Sequence, residues 1–195
     1  MIEINNNNIE HIFKKYKLIS VKNFYKVNFL KRIFFNRYLN KEYKANFCLS
    51  KGYNYQVIGN CKEKYNMILK YHDCLHKIFG EYTIDNKSNL SFCCYKSNKN
   101  DYYSVWHKHV HTGTLSGVYY YQMPKKEGIL FRLDKKIYRY IPEENELIIF
   151  PTYITHKPEQ VTSFRNRYSI NFDLFLKEDL NTLYGKIDRN FYDFS

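Results

Sequence analysis

The stretch Trp106–Tyr121 reads WHKHVHTGTLSGVYYY, and its two halves set the terms for the rest of the chain. The first half alternates three histidines, His107, His109 and His111. In a strand, side chains two apart point to the same side, so either adjacent pair can face one point in space. The second half, Leu115–Tyr121, is a short aromatic-rich run with β character. Five similar runs surround it: Leu90–Tyr95, Ile129–Leu133, Ile137–Ile141, Glu146–Phe150 and Tyr168–Phe175. The segments between them carry Pro, Gly, Asn and charge, as in MPKKEG, LDKK and PEEN. Short strands at that spacing predict an all-β barrel or sandwich.

Working outward, Cys61–Phe79 has a different texture. Tyr65, Ile68, Leu69, His72, Leu75 and Phe79 recur at three- and four-residue steps, and Gly80 follows where a left-handed C-terminal residue belongs. This predicts one helix before the β region. His72 and His76 share a face of it, but Asp73 stands where the zinc-protease motif needs glutamate, so packing is the plainer reading. From Phe13 to Phe47 basic and aromatic residues interleave, and periodicity does not choose between helix and strand. The expected organisation is one domain over 1–195. Residues 1–89 form a helical, basic support region, 90–176 the β core, and 177–195 a C-terminal extension.

The chain carries a formal charge of +12, and its stretch 14–51 holds eleven Lys or Arg against one acid, Glu42. Basic grooves with stacking aromatics bind single-stranded nucleic acid, so a nucleic acid or other polyanion is a candidate partner there. The plain alternative is a solvated lysine face in a chain rich in residues with A/T-rich codons. Five cysteines without a C-x-x-C suggest neither a zinc ribbon nor a disulfide framework. No run approaches the length of a membrane span or a signal-peptide core. The expectation is a soluble, cytoplasmic protein with free thiols.

A fourth histidine, His156, follows the apolar run Glu146–Phe150 and the turn-like Pro151-Thr152. A barrel can bring it beside the alternating histidines, and neutral imidazoles suit Fe, Zn, Cu or Ni. Three ligands on one face leave open positions for oxygen chemistry. Eleven residues on, Arg167-Tyr168-Ser169-Ile170-Asn171-Phe172 places Arg167, Ser169 and Asn171 on one strand face. An inward arginine in a barrel is costly without an anion, and a guanidinium matches a carboxylate with two parallel hydrogen bonds. Arg165 shares that parity and is the rival for the role.

In order, H109-x-H111, LSGVYYY (115–121), IIFPTYITH (148–156) and RYSINF (167–172) resemble the Fe(II)/2-oxoglutarate-dependent oxygenases, and most closely the small members whose core reads H-x-H, LSGVYYL, FPS, H and R-x-S-x-x-F. The resemblance covers about residues 90–175. It implies an α+β, mainly β chain built on a double-stranded β-helix (jelly-roll, cupin-like) with N-terminal helical elements packed on it. It implies an iron-binding hydroxylase using Fe(II), 2-oxoglutarate and O2. His109, His111 and His156 would be metal ligands, and Arg167, Ser169 and Tyr120 would hold the distal carboxylate of 2-oxoglutarate. Most of the superfamily has aspartate where His111 stands, and His107 with His109 is the other ligand pair the spacing allows. Two further functions compete: a three-histidine cupin-type dioxygenase without 2-oxoglutarate, and a non-catalytic basic barrel that binds nucleic acid. The usual cupin glutamate after H-x-H is missing, since Thr112-Gly113-Thr114 follows.

Overall fold

A computed structural model describes residues 1–25, 54–57, 62–85, 91–97, 99 and 105–195 of the chain. In chain order its elements are β1 (Ile2–Glu3), α1 (Ile9–Tyr16), β2 (Ile19–Lys22), β3 (Asn54–Val57), α2 (Lys62–Phe79), β4 (Ser91–Ser97), β5 (Leu115–Gln122), β6 (Ile129–Leu133), β7 (Lys136–Tyr140), β8 (Glu146–Pro151), β9 (Thr155–Pro158), β10 (Arg167–Leu174), α3 (Leu180–Gly185) and β11 (Phe191–Asp193). The strands form a seven-stranded sheet in the order β11-β2-β8-β5-β10-β4-β3 and a four-stranded sheet in the order β1-β7-β6-β9. The chain is α+β and mainly β, and its two facing sheets are the expected double-stranded β-helix.

Strand alternation explains how the sheets pack. On β10 the even-numbered residues Tyr168, Ile170, Phe172 and Leu174 join one core cluster with Met67, Tyr71, Cys74, Leu75 and Ile78 of α2. The helix therefore lies across the outer face of the large sheet, and Phe172 stacks on Tyr71 with centroids 4.8 Å apart. Gly117 on β5 makes room for this. A Cβ there would stand 3.1 Å from the Tyr71 ring, so even the smallest side chain would require that ring to give by a few tenths of an ångström. Helix α2 ends as expected, with Gly80 at φ +71° and its N–H donating to the His76 carbonyl.

The other faces of β5 and β8 look toward the small sheet. Val118, Tyr120, Ile148 and Phe150 share a second cluster with Ile129, Phe131, Leu133, Tyr138 and Tyr140. Phe131 meets Phe150 edge to face across the gap, centroids 5.6 Å apart. Helix α1 seals this core through Ile12 and Phe13.

The N-terminal region is not only helical. β1 runs parallel to β7, β2 pairs with β8, and β3 pairs with β4. The C-terminal segment also returns to the body. Asp179 caps α3 by accepting from the Asn181 and Thr182 amides, and β11 pairs in parallel with β2. Most of the basic stretch 14–51 lies outside the described residues. Within its described part, Lys15 pairs with Asp134 and Lys22 with Glu143, each at 2.8 Å. Cys74 is a free, buried thiol, pushed by burial up to about 12. Among the described residues no helix is long and apolar enough to cross a membrane.

Candidate functional site

The odd-numbered face of β10 carries Arg167, Ser169, Asn171 and Asp173, all buried. Four polar side chains in a row inside a barrel need partners or a ligand. Opposite them on β5 stand Tyr120 beside Ser169, Val118 beside Asn171 and Ser116 beside Asp173. On β4, Ser97 faces Arg167 and Tyr95 faces Ser169.

At one end of this row three imidazoles meet. His156 lies on β9, buried, opposite Phe131 of β6. His107 forms an isolated antiparallel bridge to it, each backbone amide donating to the other's carbonyl at 3.0 Å. His109 is anchored two residues on, its amide donating to the Thr152 carbonyl at 3.0 Å. One ring nitrogen from each of His107, His109 and His156 lies within 4.8 Å of the other two. Among the described residues this is the one group of three or more His, Cys, Asp or Glu side chains so disposed.

The hydrogen bonds also fix which nitrogen each ring offers. Nδ1 of His107 meets the Val105 carbonyl at 2.9 Å, and Nδ1 of His156 meets the Ile154 carbonyl at 3.0 Å. Nδ1 of His109 meets Asp173 Oδ2 at 2.8 Å. The nearest partner of each Nδ1 is an acceptor, so each Nδ1 donates, and in the neutral ring the lone pair then lies on Nε2. Burial, helped by the neighbouring His107 and His109, holds the His156 imidazole well below the usual histidine range. Burial lowers His107 as well. Three imidazoles so close together are, in their neutral form, a donor set that fits a divalent transition metal.

His111, which the resemblance implies as a ligand, stands exposed outside this cluster. The chain turns after His109: the Thr112 and Gly113 amides both fold back onto the His109 carbonyl. Strand alternation stops at that turn, and with it the shared direction of His109 and His111. Gly113 lets the turn press against β10, since a Cβ there would stand 2.7 Å from the Leu174 backbone nitrogen. The pair His107 and His109, open on spacing alone, is the pair beside His156.

Arg167, Ser169 and Tyr120 line the same cavity as the three histidines, together with Tyr95, Ser97 and Asn171. The cavity is small, about 60 Å³, and opens to solvent. Arg167 is 3 % exposed, and it donates to the Glu159 carbonyl at 2.8 Å and to Ser97 Oγ at 3.3 Å. Burial raises the Tyr120 phenol, while the charge of Arg167 acts in the opposite sense. Among the described residues that line the cavity there is no Asp or Glu. Asn171 turns its amide nitrogen to Asp173 at 2.9 Å, leaving its buried Oδ1 without a hydrogen-bond partner among the described residues. Arg165, the rival arginine, is half-exposed and pairs with Glu144 at 2.5 Å. On α2, His72 and His76 contact Tyr82 and the Gly80 carbonyl and take no part in a metal-sized cluster among the described residues.

Sequence reasoning passed over Asp173. The signal was there, because Asp173 continues the parity of Arg167, Ser169 and Asn171 by one more step.

No family model matches the sequence, and no curated protein matches it. Solved structures do. A prolyl hydroxylase from Trichoplax adhaerens, in complex with a hypoxia inducible factor peptide fragment, is similar over 87% of this chain and 88% of its own, with 14% identity and a TM-score of 0.58. A prolyl-4-hydroxylase from Pseudomonas putida is similar over 87% of this chain and 97% of its own, with 12% identity and a TM-score of 0.54. The chain thus has the double-stranded β-helix fold of these hydroxylases.

Proposed function

We propose that the protein is an Fe(II)/2-oxoglutarate-dependent dioxygenase acting as a hydroxylase, with His107, His109 and His156 holding the metal. In this assignment the H-x-H pair moves back by two residues: His107 takes the role that the resemblance gave to His109, and His109 the role it gave to His111, where most of the superfamily carries aspartate. Arg167, with Ser169 and Tyr120 beside it, holds the distal carboxylate of 2-oxoglutarate. The observation that carries the reading is one small cavity with three imidazoles and a buried arginine on its walls and no acid among its described lining residues. A divalent metal there adds further positive charge, and a dicarboxylate is the complementary ligand.

When bound, Fe(II) together with 2-oxoglutarate and O2 supplies the oxidising chemistry, coupling decarboxylation to succinate and CO2 to insertion of one oxygen atom into a substrate. This chain's residues do the rest. The Nδ1 bonds of the three histidines fix their rings before metal arrives, so little ordering remains to be done on binding. Backbone carbonyls and Ser97 steady the guanidinium of Arg167. Val118 and Ile129 supply apolar wall that limits water.

The all-histidine donor set also favours a second reading, a cupin-type dioxygenase that needs no 2-oxoglutarate. Calorimetric titration of 2-oxoglutarate into Zn(II)-loaded protein separates the two. A charge-assisted hydrogen-bonded pair contributes about 1.5–3 kcal/mol. Arg167→Ala is therefore expected to weaken binding by about tenfold to a hundredfold. Absent or unchanged binding would favour the cupin reading.

A further inference from the structure

The ring of metal donors carries no negative charge, yet a carboxylate stands directly behind it. Asp173 is 1 % exposed. Its Oδ2 accepts from His109 Nδ1 at 2.8 Å, Thr112 Oγ1 at 2.8 Å and Asn171 Nδ2 at 2.9 Å. Its Oδ1 accepts from Ser116 Oγ at 2.7 Å. The hydroxyl, amide and imidazole donors come from the turn after His109, from β5 and from β10 itself. The imidazole and the amide reach Asp173 through N–H groups and the two hydroxyls can donate to it as well, a surrounding that suits a carboxylate acceptor.

A buried anion also calls for a counter-charge. Among the described residues the only Lys, Arg or His side chain in ion-pair range of Asp173 is His109, whose ring is charged only if protonated. A divalent ion on Nε2 of His109 would polarise the Nδ1–H that Asp173 accepts, and the carboxylate would in turn make the imidazole a stronger donor.

We propose that Asp173 is a positioning residue that acts on the metal through His109, supplying from behind the imidazole the negative charge that relatives carry as a directly bound aspartate. The same arrangement explains why residue 109 is histidine. An aspartate there would set two carboxylates side by side, with no cation between them until metal bound. This inference rests on the three-histidine metal centre proposed above and is independent of 2-oxoglutarate.

The test is an anaerobic Co(II) titration against a competing chelator, followed by the visible bands of the bound ion, with circular dichroism as a check on folding. Asp173→Asn is expected to bind Co(II) about 10–100-fold more weakly than the unaltered chain and with shifted bands. Ser116→Ala removes a donor from the oxygen that does not face His109, and its affinity should stay close to that of the unaltered chain. If both variants lose affinity alike, Asp173 only braces the fold and the inference falls. It also falls if Asp173→Asn binds as tightly as the unaltered protein, while the metal centre stands. An unaltered protein that takes up no Co(II) overturns the metal centre and this inference with it.

If Asp173→Asn does not fold, the unaltered Zn(II)-loaded protein decides by proton NMR. The His109 Nδ1 proton, facing a carboxylate, should resonate further downfield than those of His107 and His156, which face carbonyls. Three equivalent shifts would overturn the proposal.

Discussion

His107 and His111 are the same residue at the same spacing from His109, and one turn separates their fates. His107 is drawn inward by two backbone hydrogen bonds to His156, and His111 is carried outward by the fold-back at Thr112 and Gly113. His107→Ala should therefore abolish tight metal binding, while His111→Ala should bind as the unaltered chain does; a Co(II) titration of the two variants reads this directly. The alternation in WHKHVH offered both pairs, and spacing could not choose. The deciding information sat just downstream in Thr-Gly-Thr, which reads as a turn but does not say at which residue the turn begins. Arg167 was legible for a firmer reason. It lies inside a long alternating strand, where parity fixes direction and a buried charge demands an explanation.

β10 shows how one element serves both stability and chemistry. Its even face packs on α2 and its odd face lines the cavity, and all eight residues are buried. Phe172→Ala empties a fully buried site between β10 and Tyr71. It is expected to cost about 3–5 kcal/mol in urea unfolding. The effect on metal affinity of the folded fraction should be small, since Phe172 points away from the histidines. The long elements could be read because period-2 and period-3.6 patterns persist over many residues: β6 matches its expected bounds, and α2 covers Lys62–Phe79 of the expected Cys61–Phe79, with Cys61 outside the described residues. β1, β2 and β11 could not. They have two to four residues each and exist through partners distant in sequence, such as the pairing of Phe191 with Ser20. A pattern that short carries no period.

At the scale of the whole molecule, metal binding and folding are linked. His107, His109 and His156 come from separate segments that only the folded barrel brings together, so the unfolded chain binds metal weakly. A ligand at a hundred times its Kd stabilises by about 2.7 kcal/mol. For a chain of this length that raises Tm by about 5–11 °C, reversibly on chelation. His156→Ala should show no such rise in a thermal melt. Under the proposed function iron and a dicarboxylate occupy this cavity together. Joint occupancy is read by an anaerobic titration of metal-free protein with Fe(II) and then 2-oxoglutarate, watched in the visible. A weak charge-transfer band should appear that needs both components and is lost in Arg167→Ala. Fe(II) binding with no band on adding 2-oxoglutarate would contradict the proposed function.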